Sequence, residues 1–343
     1  MLCYYTAYEQ TLNIGAYCCL VKLSDPLQVK GYTLRNRIVF PPMQSGRADF
    51  DGSITSRLIN FYVRRSTHIG LPIVEHAYID LLGKIGPKQL GIYDDSLISG
   101  YEQLAAALHN EGVPAIVQIS HAGAVASKKV IHNQPVGPSV TGKARMLEVE
   151  ELKSITMQFV DAAERAVKAG FDGVELHGAH GYLLNQFFSP LLNKRDDEYG
   201  GSFEGRMCFP LEVVKAVRCQ LGRDKLLFYR VGSDDLSPCG TCIEDGIVFS
   251  KALVASGVDV LDVSGGMCGS NPKQFKDVSG YFVSQAAAVK REVDVPVIGV
   301  GGIKEAVFAD SLVREGKVDL VAVGSALWRN AQWAQNALLC LGI

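Results

Sequence analysis

Eight short apolar runs, rich in β-branched residues, recur along the chain from residue 37 onward. They are "RIVFPPM" (37–43), "LPIVEHA" (71–77), "PAIVQIS" (114–120), "DGVELHG" (172–178), "LLFYRV" (226–231), "VDVLDVS" (258–264), "VPVIGVG" (295–301) and "DLVAVG" (319–324). Most of their positions are apolar, without a regular alternation with polar residues. Such runs are typical of parallel strands that are covered on both faces.

Amphipathic stretches separate these runs. The clearest, "VEELKSITMQFVDAAERAVKAG" at 149–170, repeats apolar residues at helical spacing and ends at Gly170, a plausible C-terminal cap. Eight strand–helix repeats in one chain predict an α/β fold, a closed (β/α)8 TIM barrel, with a doubly wound open sheet as the alternative. No GxGxxG follows the first run, so a Rossmann dinucleotide site is not supported.

Composition and charge narrow the class of protein further. The 343 residues are 48% hydrophobic and 20% charged, and the formal net charge of −2 gives no electrostatic reason to expect nucleic acid or an anionic membrane as a partner. No run approaches the length of a transmembrane helix, and the N-terminus lacks the basic region of a signal peptide. Nine cysteines without a pairing pattern favour a reduced, cytoplasmic location, and the single CxxC at 239–242 is weak support for a metal site.

These observations predict one functional unit. We expect residues 23–343 to form the barrel, and we assign no role to the lead at 1–22.

A barrel places its chemistry at the C-terminal ends of its strands. The polar residues predicted there are Glu75, His76, Gln118, His121, His177, His180, Tyr182 and Arg230. The stretch "HGAHGY" at 177–182 is open to three interpretations: a metal site, an acid–base site or histidine-rich core. Its position at a strand end weakens the third.

Glycine-rich turns follow the seventh and eighth runs, "GVGGIKE" and "GSALW". Each alone is compatible with a tight turn that binds nothing, but as a pair at these two strands they favour a phosphate site. Gln118 offers a donor and an acceptor to a flat heterocycle, and Arg230 offers a fixed positive charge. Pairing of Arg230 with Asp234 or Asp235 is an equally weighted alternative.

Four segments carry a family resemblance: "NRIVFPPM", "VQISHAG", "HGAHGYLLNQFFSPLLNKRDDEYGGSFEGR" and "GVGGI…DLVAVGSALWRN". The chain resembles the Old Yellow Enzyme family of FMN-dependent NADH:flavin oxidoreductases over about residues 22 to 338. The resemblance implies noncovalent FMN at the top of the barrel, reduced by NADH or NADPH. It also implies a small-molecule activated alkene that enters the same site and receives a hydride at its β-carbon.

The resemblance also implies roles for residues. His177 and His180 would hydrogen-bond the carbonyl or nitro oxygen of the substrate, and Tyr182 would protonate the α-carbon. The residues implied to line the flavin are Pro41, Pro42, Met43, Gln44, His76, Gln118 and Arg230, and those around its phosphate are Gly302, Gly324 and Ser325. The metal interpretation of the two histidines is then weak, because no HExxH pattern and no obvious third ligand are present.

The sequence departs from the family pattern at several positions. Many relatives have an arginine where Ser325 stands, and losing its charge-assisted bond removes roughly 1.5–3 kcal/mol of potential affinity, so we expect weaker FMN retention. Gln44 replaces a common Cys or Thr, His76 replaces a small residue and either narrows the site or points away, and Gly46 replaces a tyrosine of some relatives.

Alternatives to an ene-reductase remain at this stage. They are a flavin-binding protein with little turnover, an NAD(P)H oxidase or dehydrogenase that uses another acceptor, and, last, a flavin-free barrel such as an aldolase. We expect a single-domain type without the iron–sulfur segment of larger relatives, because the last stretch has only Cys340. A homodimer or homotetramer is possible by resemblance.

Overall fold

The computed structural model describes residues 21–342, and the predicted lead at 1–22 therefore lies almost wholly outside the described residues. Within that range the strands are β1 (Leu27–Val29), β2 (Tyr32–Leu34), β3 (Ile38–Phe40), β4 (Leu71–Tyr78), β5 (Ile116–Ser120), β6 (Val136–Gly137), β7 (Arg145–Met146), β8 (Gly173–Gly178), β9 (Leu226–Gly232), β10 (Val260–Ser264), β11 (Val297–Gly299) and β12 (Leu320–Ala322).

Eight of these strands close into a parallel barrel in the order β3-β4-β5-β8-β9-β10-β11-β12. Each of the eight coincides with one of the apolar runs, so the prediction of a (β/α)8 barrel is confirmed. The open-sheet alternative is excluded by the pairing of β12 with β3, which joins Val321 to Ile38 and Ala322 to Val39.

Helices connect the strands around the outside of the barrel. They are α1 (Ser56–Ser66), α2 (Ile98–Asn110), α3 (Lys128–Ile131), α4 (Val149–Lys168), α5 (Leu183–Phe188), α6 (Phe203–Leu221), α7 (Ile243–Ala255), α8 (Val283–Lys290), α9 (Ala306–Arg314), α10 (Ser325–Arg329) and α11 (Trp333–Cys340). The helix predicted at 149–170 is α4. Glu148 and Glu151 form a capping box at its start, and Gly170, at a φ of +87°, follows its end in the left-handed conformation that favours glycine.

The hairpin of β1 and β2 was not predicted from the sequence. Its Val29 and Leu34 are buried in the same apolar cluster as alternate residues of the barrel strands, including Val39, Leu71 and Ile116. Because alternate residues of a strand point to one face, this cluster fills the interior of the barrel and the hairpin closes one end of it.

The interior changes from apolar to polar along the strands. Ile116 is followed two residues later by Gln118, and Val260 by Asp262, on the same face of each strand. Arg230 lies beside Asp262 in the register of β9 and β10. The C-terminal end of the barrel is therefore built to hold charge and hydrogen bonds.

Candidate active site

A cavity of about 750 Å³ opens at the C-terminal end of the barrel. Twelve of the thirteen site residues implied by the family resemblance line it: Pro41, Pro42, Met43, Gln44, His76, His177, His180, Tyr182, Arg230, Gly302, Gly324 and Ser325. They come from different strands and turns, so only the closed barrel brings them together. A cavity of this size, with a few convergent polar groups, is typical of a cofactor or small-molecule site.

Gln118 is the thirteenth of these residues and does not line the cavity. It is 1% exposed, and its side-chain Nε2 donates to Oε1 of Glu175 across 2.7 Å. Its amide is thus engaged inside the barrel, one layer below the cavity.

The turn after β8 holds His180 in a strained conformation. His180 has a φ of +58°, which is uncommon for a residue with a side chain, and Gly181 follows at +74°. The side-chain oxygen of Asn185 accepts from the backbone N–H of Gly181 at 2.8 Å, and Ser264 Oγ lies 2.7 Å from Nε2 of His180. Strain of this kind persists where the surroundings fix the backbone, and it concentrates at functional sites.

Four aromatic rings cluster at this side of the cavity. The ring centroids of His177 and Tyr182 are 4.5 Å apart, those of His177 and His180 are 5.1 Å apart, and those of His76 and Tyr182 are 5.3 Å apart. The Tyr182 hydroxyl has no hydrogen-bond partner among the described residues. It is also not fully buried. A ligand in the cavity can therefore reach it.

The three imidazoles are held neutral. Burial is the main cause that holds the pKa of His177 and of His180 well below the ordinary value, and the charge of Arg230 acts in the same direction. Burial and Arg230 also lower the pKa of His76 to about 4. Each ring can then donate one N–H without carrying a charge.

The tyrosine of the cluster keeps its proton at neutral pH. Burial raises the pKa of Tyr182 to about 12, so its hydroxyl is a donor and not a phenolate. Two neutral imidazoles and one protonated phenol consequently face the same space.

The side chain of His76 lines the cavity and does not point away from it. Nε2 of Gln89 donates to its Nδ1 at 3.0 Å, and Ser120 Oγ lies 3.3 Å from the same nitrogen. Oε1 of Gln89 accepts from the backbone N–H of Ile85 at 2.8 Å, so the amide cannot be turned round without losing that bond. Nδ1 of His76 is therefore the acceptor, and Nε2–H remains for the cavity.

Arg230 is paired, but not with Asp234 or Asp235. Its Nε lies 3.4 Å from Oδ2 of Asp262, which is 0% exposed and lies on the neighbouring strand. Glu175, also 0% exposed, is close enough to Asp262 that burial and this like charge raise the pKa of Glu175 well above its usual range. Burial raises the pKa of Asp262 as well, and the charge of Arg230 lowers it. We infer that Asp262 carries the charge and Glu175 the proton, because Asp262 forms the ion pair with the arginine, although without a hydrogen bond.

The segment 41–44 is anchored by a buried acid. Oε2 of Glu75 accepts from the backbone N–H of Ser45 at 2.9 Å, directly after Gln44. Burial raises the pKa of Glu75 to about 7. This carboxyl fixes the path of the loop that forms one wall of the cavity.

The two glycine turns present bare backbone to the cavity. A Cβ placed on Gly302 would meet the carbonyl oxygen of Val278 at 2.8 Å, and one on Gly324 would meet Sδ of Met43 at 3.0 Å. A side chain at Gly302 would clash with the backbone, and one at Gly324 would press on the side chain of Met43, so both turns carry glycine and expose their peptide units to the cavity.

Several residues of the site were not predicted from the sequence. Glu175 and Asp262 are charged residues inside otherwise apolar runs. A charged residue in such a run is the sequence signal that could have identified them as part of the site. Gln89 carries no such signal, because its role depends on a tertiary contact with His76.

The cavity suits FMN. The segment 41–44 and Arg230 offer a wall and a positive charge to a flat ring, and the bare turns at Gly302 and Gly324 offer backbone to its phosphate. No group of three or more His, Cys, Asp or Glu side chains within residues 21–342 is arranged to hold a metal ion. Within the same residues, no helix combines the length and apolarity needed to cross a bilayer.

Comparison with known proteins identifies the class. The NADH:flavin oxidoreductase / NADH oxidase family matches residues 22–338. The chain is 34% identical over 328 residues to an NADPH dehydrogenase of Geobacillus sp. (strain WCH70), covering 93% of this chain and 94% of that protein. The chain therefore belongs to this family of flavin oxidoreductases.

Its place within that class is the Old Yellow Enzyme family, whose members use FMN with NADH or NADPH as reductant. The structure superposes on a morphinone reductase in complex with tetrahydroNAD with a TM-score of 0.81 at 27% identity, covering 93% of this chain and 91% of that one. It has the fold of an old yellow enzyme homologue from Zymomonas mobilis, with a TM-score of 0.82 at 24% identity and 93% coverage of both chains.

A longer relative also matches. The chain is 40% identical over 324 residues to an NADH oxidase of Thermoanaerobacter brockii, covering 90% of this chain but 50% of that protein. The chain thus spans about half the length of that relative.

Proposed function

We propose that this protein is an FMN-dependent ene-reductase, which uses NADH or NADPH to reduce the C=C bond of an activated alkene such as an enone, an enal or a nitroalkene. The observation that carries the proposal is the cluster of His177, His180 and Tyr182, in which two neutral imidazoles and a protonated phenol face one cavity.

The two histidines suit the oxygen of such a substrate. Addition of hydride to the β-carbon builds negative charge on the carbonyl or nitro oxygen, and preplaced N–H donors stabilise it. Nδ1 of His177 is buried without a partner among the described residues, so Nε2 is the nitrogen that faces the cavity. His180 keeps an N–H for the same oxygen when the Ser264 hydroxyl donates to its Nε2, because the neutral ring then carries its hydrogen on Nδ1.

Tyr182 suits the proton transfer. FMN, when bound, supplies the hydride for the β-carbon, and a proton must then reach the α-carbon. With a pKa of about 12, the Tyr182 hydroxyl is protonated at neutral pH and can deliver that proton from a fixed position. Its lack of another hydrogen-bond partner among the described residues leaves the O–H free to point at the substrate.

A second candidate is an NADH oxidase that passes electrons to dioxygen. The 40% identity to an NADH oxidase supports it. The histidine and tyrosine cluster would have no evident task in that reaction, because dioxygen needs no proton on carbon.

One experiment tests the proposal. The purified protein with FMN is reduced anaerobically with NADH or NADPH, 2-cyclohexenone is added, and the return of the flavin absorbance is followed. We expect rapid reoxidation by the enone. Reoxidation by dioxygen alone would contradict the proposal and favour the oxidase.

The acid role of Tyr182 is tested in the same assay. Tyr182→Phe should slow reoxidation by the enone by about 10²-fold or more while reduction by the nicotinamide changes little. Tyr93→Phe, outside the cavity, is the matched control. Equal slowing of both half-reactions by Tyr182→Phe would remove its role as proton donor.

A further inference from the structure

Three cationic side chains, Lys276, Lys304 and Arg329, line the cavity together with the glycine turns. Lys304 follows Gly302 by two residues, and Arg329 follows Ser325 by four. Within residues 21–342 none of the three forms an ion pair, whereas Arg230, which also lines the cavity, is paired with Asp262. Asp277 is the one acidic residue of the described part of the chain that lines the cavity with them, so the unpaired cations leave net positive charge for an anionic ligand.

Arg329 is placed to reach the turn that carries Ser325. The two residues are the last and the first of α10, so they lie four apart on one face of a helical turn. Long side chains in a helix point back toward its N-terminus and cover the turn that precedes their own Cα. The side chain of Arg329 is therefore directed toward the turn that carries Ser325.

The backbone beside Ser325 is open to the cavity. Gly302 and Gly324 both line the cavity, and neither carries a side chain that would cover its peptide unit. Neutral N–H groups and one hydroxyl would bind a phosphate there without balancing its charge.

We propose that Arg329, assisted by Lys304, supplies the positive charge that balances the FMN phosphate beside Ser325. Two cations match a phosphate monoester, which carries about −1.5 to −2 at neutral pH. The weak FMN retention expected from Ser325 alone is then offset from one helical turn away. The proposal rests on FMN as cofactor and not on the acceptor.

Comparison of two flavins isolates the phosphate. The protein is depleted of flavin and titrated with FMN and with riboflavin, which lacks the phosphate, while flavin fluorescence is followed. Arg329→Gln should weaken FMN binding by about tenfold to a hundredfold, the range for losing a charged hydrogen bond, and should leave riboflavin binding unchanged. Lys304→Gln should do the same to a smaller extent.

Two further variants complete the design. Arg291→Gln removes the same charge from an exposed site outside the cavity and should change neither affinity. Ser325→Arg, introduced together with Arg329→Gln, should restore the affinity for FMN and not for riboflavin. Arg329→Gln with undiminished FMN affinity, or with equal losses for both flavins, would overturn the proposal. Because the readout is binding, either result leaves the test of alkene reduction independent.

Discussion

The side-chain amide of Gln89 donates to Nδ1 of His76 across 3.0 Å, in a direction fixed by its own bond to the backbone of Ile85. This single contact determines which nitrogen of His76 carries hydrogen. The cavity therefore gains a third neutral N–H donor beside His177 and His180. The imidazole of His76, whose ring centroid lies 5.3 Å from that of Tyr182, also reduces the space beside Tyr182.

Replacing the amide by an acid should change the charge of His76. In Gln89→Glu a carboxylate would lie next to Nδ1, so we expect the pKa of His76 to rise by more than one unit from about 4. Nitrogen-15 NMR of the imidazoles as a function of pH would measure both the tautomer and the pKa. Gln134→Glu at an exposed site is the control. An Nδ1–H tautomer of His76 in the unsubstituted protein would contradict the structure.

Glu75 should make stability depend on pH. Its pKa is raised from 4.5 to about 7, so the fold favours the protonated form. The stability that this group contributes is complete below pH 4.5 and is lost as the pH rises toward 7, by at most about 3 kcal/mol.

Urea unfolding at pH 5 and pH 8 tests this assignment. The difference in free energy of unfolding between Glu75→Gln and the unsubstituted protein should shift by up to about 3 kcal/mol in favour of the variant at pH 8. Glu102→Gln, at an exposed position, should show no such shift. A difference that stays constant between the two pH values would mean that Glu75 is ionised throughout.

His180 should tolerate asparagine better than alanine. Asparagine accepts a positive φ more readily than most residues and keeps an N–H donor, whereas alanine removes the donor. We expect His180→Ala to slow the reoxidation of the reduced protein by 2-cyclohexenone about 10²-fold or more, and His180→Asn to slow it much less. Similar rates for the two variants would show that His180 does not bind the substrate oxygen.

The two buried acids below the cavity should differ in their effect on the flavin. If Asp262 carries the charge, Asp262→Asn leaves Arg230 uncompensated and should raise the reduction potential of bound FMN, by about 30 mV for each 1.4 kcal/mol of added stabilisation of the reduced form. Glu175→Gln should leave the potential nearly unchanged. Spectroscopic titration against a reference dye measures both, and a larger shift for Glu175→Gln would reverse the assignment.

The sequence predicted most of the fold and site because both depend on local order. Short apolar runs rich in β-branched residues favour strands. Residues at the C-terminal ends of the strands in a closed barrel meet at one end, so the sequence alone predicts that His177 and Arg230 lie together. The contacts that could not be predicted from the sequence depend on the register between strands. Asp262, the partner of Arg230, is 32 residues away in sequence and adjacent only because β9 and β10 pair in one particular alignment.

Two further features could not be predicted from the sequence. The hairpin of β1 and β2 has strands of three residues each, too short for a periodic pattern to be recognised. The position of Arg329 at the cavity could not be predicted, because it depends on where a five-residue helix places its last side chain.

The hairpin of β1 and β2 lies at one end of the barrel and the cavity at the other, so protein engineering can change the two ends separately. Val29 and Leu34 pack within the apolar layer of the interior, and the polar layer with Gln118 and Asp262 separates them from the cavity. Repacking the hairpin could therefore adjust thermal tolerance, since truncating such a side chain costs about 2–5 kcal/mol, without touching the groups that select a substrate. A directed-evolution library can treat the two ends of the barrel as separate targets.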